Sequence, residues 1–185
     1  FDSLIKNADA AMYKAKNMGR NRFAHYSKKL NNELKKNVEL EEYISSSISK
    51  NKCEIYYQPK ISCDKNEVIG FESLVRFKDL SKNESMDKYI SLAEESNAII
   101  DIDRFVIDGA LETLSILNKK LKASLVAAIN ISAKHLIKND LPQFLISKLK
   151  EYRITPSLIE IEITEGSIIN NLEAAKNVLD KLKKL

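Results

Sequence analysis

Apolar positions along this chain change period several times, and each change marks an element. Leu4, Ile5, Ala8, Ala11, Met12 and Ala15 recur at helical spacing and predict a helix over 3–18. Gly19 stops it, in the position where a left-handed residue is favoured. Asn21–Tyr26 is short, aromatic and strand-like. From 28 to 50 the chain is rich in lysine and glutamate, with a narrow apolar stripe of Leu30, Leu34, Val38 and Ile48. That pattern predicts a connecting helix with little core of its own, and it is the best candidate for a domain boundary.

Beyond residue 50 the period shortens to two. Cys53–Gln58 alternates and predicts a strand, Asp64-Lys65-Asn66 is turn chemistry, and Val68–Phe77 predicts the next strand. The link is too short for a crossover helix, so the two strands should pair antiparallel. Helices are predicted at 87–96 and 101–119, the second capped by Asp101 or Asp103. Leu125–Ile131 is nearly continuous in apolar residues, as befits a strand buried on both faces. A helix over 139–152, a turn at Pro156, a strand over Leu158–Thr164 and an amphipathic helix over 171–185 follow. From residue 123 the order is β-α-β-α, which argues for a parallel α/β sheet with helices outside.

Length and composition narrow the class. The 185 residues suffice for one ordinary domain and part of a second. Hydrophobic residues make up 44% and charged residues 30%, the balance of a soluble globular protein. The net charge of +4 is too small and too evenly spread to argue for a nucleic-acid polymer as partner. Cys53 and Cys63 show neither a zinc pattern nor CxxC, and they read as free thiols of a reducing cytoplasm rather than a hairpin disulfide. No run approaches the roughly 20 apolar residues needed to cross a bilayer, and no signal peptide is visible. The chain starts at Phe1 and stops inside a helical pattern at Lys181–Leu185, so both ends read as cut from a longer protein.

The candidate chemistry lies on three predicted strands. Glu72, Asn130 and Glu162 are oxygen-bearing side chains set in β-branched, apolar runs. Hard divalent cations take such carboxylate and amide oxygens. In a closed β/α barrel the C-terminal strand ends are where chemistry is placed, so the hypothesis is a metal site at a barrel mouth. Glu160 and Glu162 share one strand face; the alternative is an edge strand with a wet face. Asn130 sits in an apolar run, where an amide needs hydrogen bonds or a cation to offset burial. Arg76 shares a face with Glu72, and a metal-binding carboxylate beside an anion-binding arginine suits a phosphodiester. The alternative there is a Glu72–Arg76 salt bridge with no ligand. Gln58, before Pro59 at a strand end, could contact a ligand. His25 and His135 are lone histidines without visible partners, and Ser132 lacks a paired base.

With these residues in view, residues 40–185 resemble the EAL domain, the cyclic di-GMP phosphodiesterase module. Its Glu-Ala-Leu-x-Arg-Trp signature appears as Glu72-Ser73-Leu74-Val75-Arg76-Phe77, its Asn-Leu-Ser-Ala segment as Asn130-Ile131-Ser132-Ala133, and its Glu-Ile-Thr-Glu-Ser segment as Glu162-Ile163-Thr164-Glu165-Gly166. Tyr57-Gln58-Pro59 and Leu92-Ala93-Glu94-Glu95 fit as well. Ala8-Asp9-Ala10-Ala11-Met12-Tyr13-Lys14-Ala15-Lys16-Asn17-Met18-Gly19-Arg20-Asn21-Arg22 is similar to the last helix and strand of the GGDEF domain, the diguanylate cyclase module. The division implied is a GGDEF remnant over 1–27, a connecting helix over 28–50, and the N-terminal half of an EAL domain over 51–185.

The resemblance implies a partial TIM-like (β/α) barrel with an antiparallel first strand, preceded by a helix–strand remnant and a connecting helix. Glu72, Asn130 and Glu162 match family metal ligands; Gln58 and Arg76 match positions that contact the dinucleotide. Family members use Mg2+ or Mn2+, usually paired, to activate a water that opens cyclic di-GMP to linear pGpG. Lys16 and Arg20 match basic residues near the GTP phosphates of a cyclase, but the other cyclase parts are missing, so they have nothing to complete. Ser73 replaces an Ala and should face away from Glu72; Phe77 replaces a Trp and Gly166 a Ser. The family's Asp-Asp-Phe-Gly motif, later lysine, glutamate and final glutamine fall beyond Leu185, so no complete catalytic set is expected in this chain. The competing readings are a phosphodiesterase, a non-catalytic cyclic di-GMP receptor, and a dimerising linker. The partners implied are cyclic di-GMP and a second copy of the parent protein. The location implied is the cytoplasm, with any membrane tether outside this chain.

Overall fold

The computed structural model describes residues 2–17, 21–50, 52–78, 86–95, 97–138, 140–163 and 172–185. Four strands form one sheet in the order β1-β2-β3-β4. β1 (Cys53–Ser62) and β2 (Glu67–Phe77) make an antiparallel hairpin, with Asn66 in the left-handed region at φ 52° to close the turn. β3 (Val126–Asn130) and β4 (Ile159–Glu162) continue the sheet parallel to β2. The short link thus forced the antiparallel pair, and the two β-α-β crossovers gave the parallel remainder.

Helices cover one face. α1 spans Asp2–Asn17, α2 Lys28–Ser49, α3 Met86–Glu95, α4 Ala98–Leu121, α5 Ala133–Leu136, α6 Leu141–Tyr152 and α7 Leu172–Leu182. Strand alternation sends Val75, Phe77, Ile129, Ile159 and Ile161 toward those helices. There they join Val106, Ile107, Ala110 and Leu111 of α4 in the main core. Ala127, Ala128 and Ile129 are fully buried, as the continuous apolar run of β3 predicts.

Several sequence expectations need correction. Asn21–Tyr26 is irregular and forms no strand; the described strands all belong to the one sheet, and none of their pairings includes this segment. α2 carries more core than its stripe suggested. Ile44 is 1% exposed and belongs to the main cluster, Ser47 is buried, and Val38 is exposed instead. The second half of the helix is therefore a core element, and Leu30 near its start is buried as well. α4 begins at Ala98, with Asn97 at the cap position, so Asp103 lies inside the helix, where it is buried and caps nothing in α4. The short α5 has too few residues to show a period, and the pattern gave no sign of it. Gly19 lies outside the described residues.

Among the described residues, no helix is long and apolar enough to cross a membrane. Cys53 is buried, Cys63 is exposed, and both are free thiols.

Candidate functional site

The face of the sheet opposite the helices is polar. Register places Gln58 beside Glu72, Glu72 beside Ala128, and Ala128 beside Glu160 in one row. Residues in register point to the same side, so Gln58, Glu72 and Glu160 share this face. Two residues further along, Asn130 pairs with Glu162, and both point the same way. Asn130 ends β3 and Glu162 ends β4. Glu72 lies mid-strand in β2, in register with Ala128 and so one same-face step short of Asn130, and its side chain bridges that step.

Asn130 Nδ2 donates to Glu72 Oε1 at 2.7 Å. This bond meets the polar demand that the sequence posed for Asn130, whose side chain is exposed rather than embedded. It also leaves the amide oxygen of Asn130 facing the same side as two carboxylates. Two carboxylates and an amide carbonyl are a hard-oxygen donor set and fit Mg2+ or Mn2+. Among the described residues no three His, Cys, Asp or Glu side chains converge as a metal cage. A shell built on this set must therefore add water or substrate oxygens, as Mg2+ sites commonly do.

The alternative Glu72–Arg76 salt bridge does not form. Four residues of strand separate the two Cα atoms by about 13 Å, too far for an ion pair. Arg76 instead donates from Nη1 to Val75 O at 2.7 Å, with its guanidinium 5.8 Å from the Tyr56 ring centroid. It sits on the part of the hairpin that projects beyond β3. A cavity of about 300 Å3 lies there, lined among others by Arg76, Glu94, Asn130, Ser132 and Glu162. Gln58 is exposed and outside that lining. Ser73 is buried on the opposite face from Glu72, as expected, and Phe77 packs against the Tyr43 and Tyr89 rings. Lys16 is exposed on α1, which packs against α2; Arg20, Glu165 and Gly166 lie outside the described residues.

Two features escaped the sequence reading. Lys60 Nζ lies 2.6 Å from Glu160 Oε2 and 3.3 Å from Glu162 Oε1. The hydrogen bond to Glu160 raises the Lys60 ammonium above its usual value, with Glu162 adding to it. The signal was available, since Lys60 is two residues from Gln58 and so shares its face. The second is the surroundings of His135, which is fully buried with Nδ1 3.3 Å from Asp103 Oδ2, off the line a hydrogen bond requires. Asp103 is 32 residues away in sequence, so no local pattern reveals it.

The family model described as "EAL domain" matches residues 41–185. The chain is 33% identical over 183 residues to signaling protein YkoW of Bacillus subtilis (strain 168), covering 98% of this chain and 23% of that protein. It is 31% identical over 185 residues to cyclic di-GMP phosphodiesterase PdeR of Escherichia coli (strain K12), covering 99% and 28%. The chain thus spans about a quarter of the length of these relatives. Among solved structures, "PaMucR Phosphodiesterase, c-di-GMP complex" superposes with TM-score 0.70 at 22% identity, covering 79% of this chain and 60% of that one. "Structure of EAL Enzyme Bd1971 - cAMP and cyclic-di-GMP bound form" gives 0.73 at 21%, covering 85% and 44%. At such identities the superpositions show the fold: the four strands and their helices are those of an EAL barrel wall.

Proposed function

This chain belongs to the EAL domain family, and we propose that its full protein hydrolyses cyclic di-GMP to linear pGpG. The observation that carries the reading is the Glu72–Asn130 contact, with Asn130 in register with Glu162. It gathers three hard-oxygen side chains from three strands on one face. In this reading Glu72, Asn130 and Glu162 hold Mg2+ or Mn2+, two ions in the complete site. The metal supplies Lewis acidity that makes water a nucleophile near neutral pH. The chain's own residues bind and orient. Arg76, a fixed cation beside the cavity, takes a phosphate of the dinucleotide. Gln58, level with Glu72, offers an amide to the same ligand.

The same reading makes residues 1–27 the tail of a GGDEF module, with Lys16 and Arg20 as its former phosphate contacts. It makes 28–50 the joint, with the second half of that helix packed into the EAL domain whose first half runs over 51–185, and it assigns a homodimer in the cytoplasm. Leu4, Ile5 and Met12, exposed along α1, are apolar surface for such contacts.

The test is hydrolysis by the full-length protein, followed by separation of pGpG, with Glu72→Ala as the comparison. Loss of turnover in the variant is the expected result. Turnover that survives the change removes Glu72 from the site. Tight dinucleotide binding without product in the unmodified protein replaces the phosphodiesterase with a receptor.

A further inference from the structure

The polar face carries a cation of its own. Lys60 leaves β1 opposite Gly70, and its ammonium reaches β4, crossing β2 and β3 to meet Glu160 and Glu162. In a flat sheet three inter-strand steps span about 14 Å, and both side chains leave perpendicular to the sheet. The contact therefore requires the sheet to curl toward this face. Small residues keep the path clear: Gly70 in β2, and Ala128, the neighbour of Glu160 in β3.

We propose that Lys60 is an internal competitor for the divalent cation, neutralising Glu160 and Glu162 when the metal is absent and yielding Glu162 when it binds. The inference rests on the reading of Glu162 as a metal ligand. Glu160 and Glu162 are two residues apart on one face, and Glu72 reaches the same cluster through Asn130. Glu160 and Glu162 so placed repel each other, and a tethered ammonium offsets both. The same ammonium repels an arriving dication and already holds one oxygen of Glu162. The contact to Glu160 alone would be an ordinary exposed ion pair, worth about 0–1 kcal/mol. The contact to Glu162 is different in kind, because that residue is 34% exposed and in register with Asn130. Lys60 acts through Glu162 and is a positioning residue, not a catalytic one.

The experiment is a Mn2+ titration of the full-length protein, with free ion read by its electron paramagnetic resonance signal. Lys60→Met keeps the stem and removes the charge, Lys60→Arg keeps the charge, and Glu72→Gln removes a ligand. Lys60→Met should bind Mn2+ roughly tenfold more tightly, the scale on which neighbours of metal ligands act, and Lys60→Arg should restore the original affinity. Lys60→Gln serves in place of the methionine variant if circular dichroism shows that one unfolded. Unchanged or weaker binding by the neutral variants, with binding lost in Glu72→Gln, overturns the role of Lys60 and leaves the metal reading standing. No Mn2+ binding by the unmodified protein, or full binding by Glu72→Gln, overturns both.

Discussion

Asp103 of α4 accepts two hydrogen bonds from Ser132, one from its backbone N at 3.1 Å and one from Oγ at 2.6 Å. Ser132 lies two residues past Asn130, the last residue of β3. Its Oγ also accepts from His135 N at 3.2 Å and so caps α5. One buried carboxylate thereby ties the helix layer to the turn that carries the candidate ligand Asn130.

Replacing Asp103 by Ala should cost about 2–3 kcal/mol, because it leaves a buried N–H and a buried hydroxyl without their acceptor. Urea unfolding of the two proteins measures this directly. A shift of the midpoint below the equivalent of about 1 kcal/mol, the ordinary net worth of one hydrogen bond, would remove Asp103 as the anchor. The Asn variant, which retains an acceptor oxygen, should lose less.

Much of this arrangement was legible from local pattern. The period-two runs located β1 and β2, the short link fixed their direction, and the apolar run of β3 gave its burial. Glu72, Asn130 and Glu162 stood out as oxygen donors among apolar residues. What was not legible is long-range. The partners of Asp103 and Lys60 lie 29 and about 100 residues away, set by register and curvature rather than by spacing. The strand-like Asn21–Tyr26 failed for the same reason in reverse, since alternation supplies a face but not a partner.

The second half of α2 should behave as part of the domain. Ile44 is packed in the main core, so Ile44→Ala should destabilise by about 2–5 kcal/mol, whereas Val38→Ala, on an exposed site, should change stability by less than about 0.5 kcal/mol. Denaturant unfolding of both variants checks the contrast. Equal effects would return α2 to the status of a bare connector and restore a boundary at residue 50.

The two thiols should differ in reactivity. Burial pushes the Cys53 thiol from 9.0 up to about 11, while Cys63 is exposed. At pH 8 iodoacetamide should alkylate Cys63 first, since the thiolate is the nucleophile; peptide mass mapping with time reads the order. Because the folded value is raised, its contribution to stability is complete below pH 9. It is lost as pH rises toward 11, where the unfolded thiol ionises first. Alkylation of Cys53 as fast as Cys63 in the folded protein would contradict its burial.

Gly70 joins the fold to the candidate site. A Cβ added there would meet Val126 O at 2.2 Å, a backbone atom of the paired strand that no side-chain rotation can move. Gly70→Ala must therefore shift β2 against β3, at a cost of about 1–3 kcal/mol, as overpacking does elsewhere. The shift falls two residues before Glu72 and directly under the path of Lys60. The variant should thus lose stability in thermal unfolding and also disturb the alignment of Glu72 with Asn130. A nitrogen-15 correlation spectrum would show the second effect as displaced Asn130 side-chain amide signals. Lowered stability with unmoved amide signals would confine Gly70 to packing, and unchanged stability would mean that the strands approach less closely here.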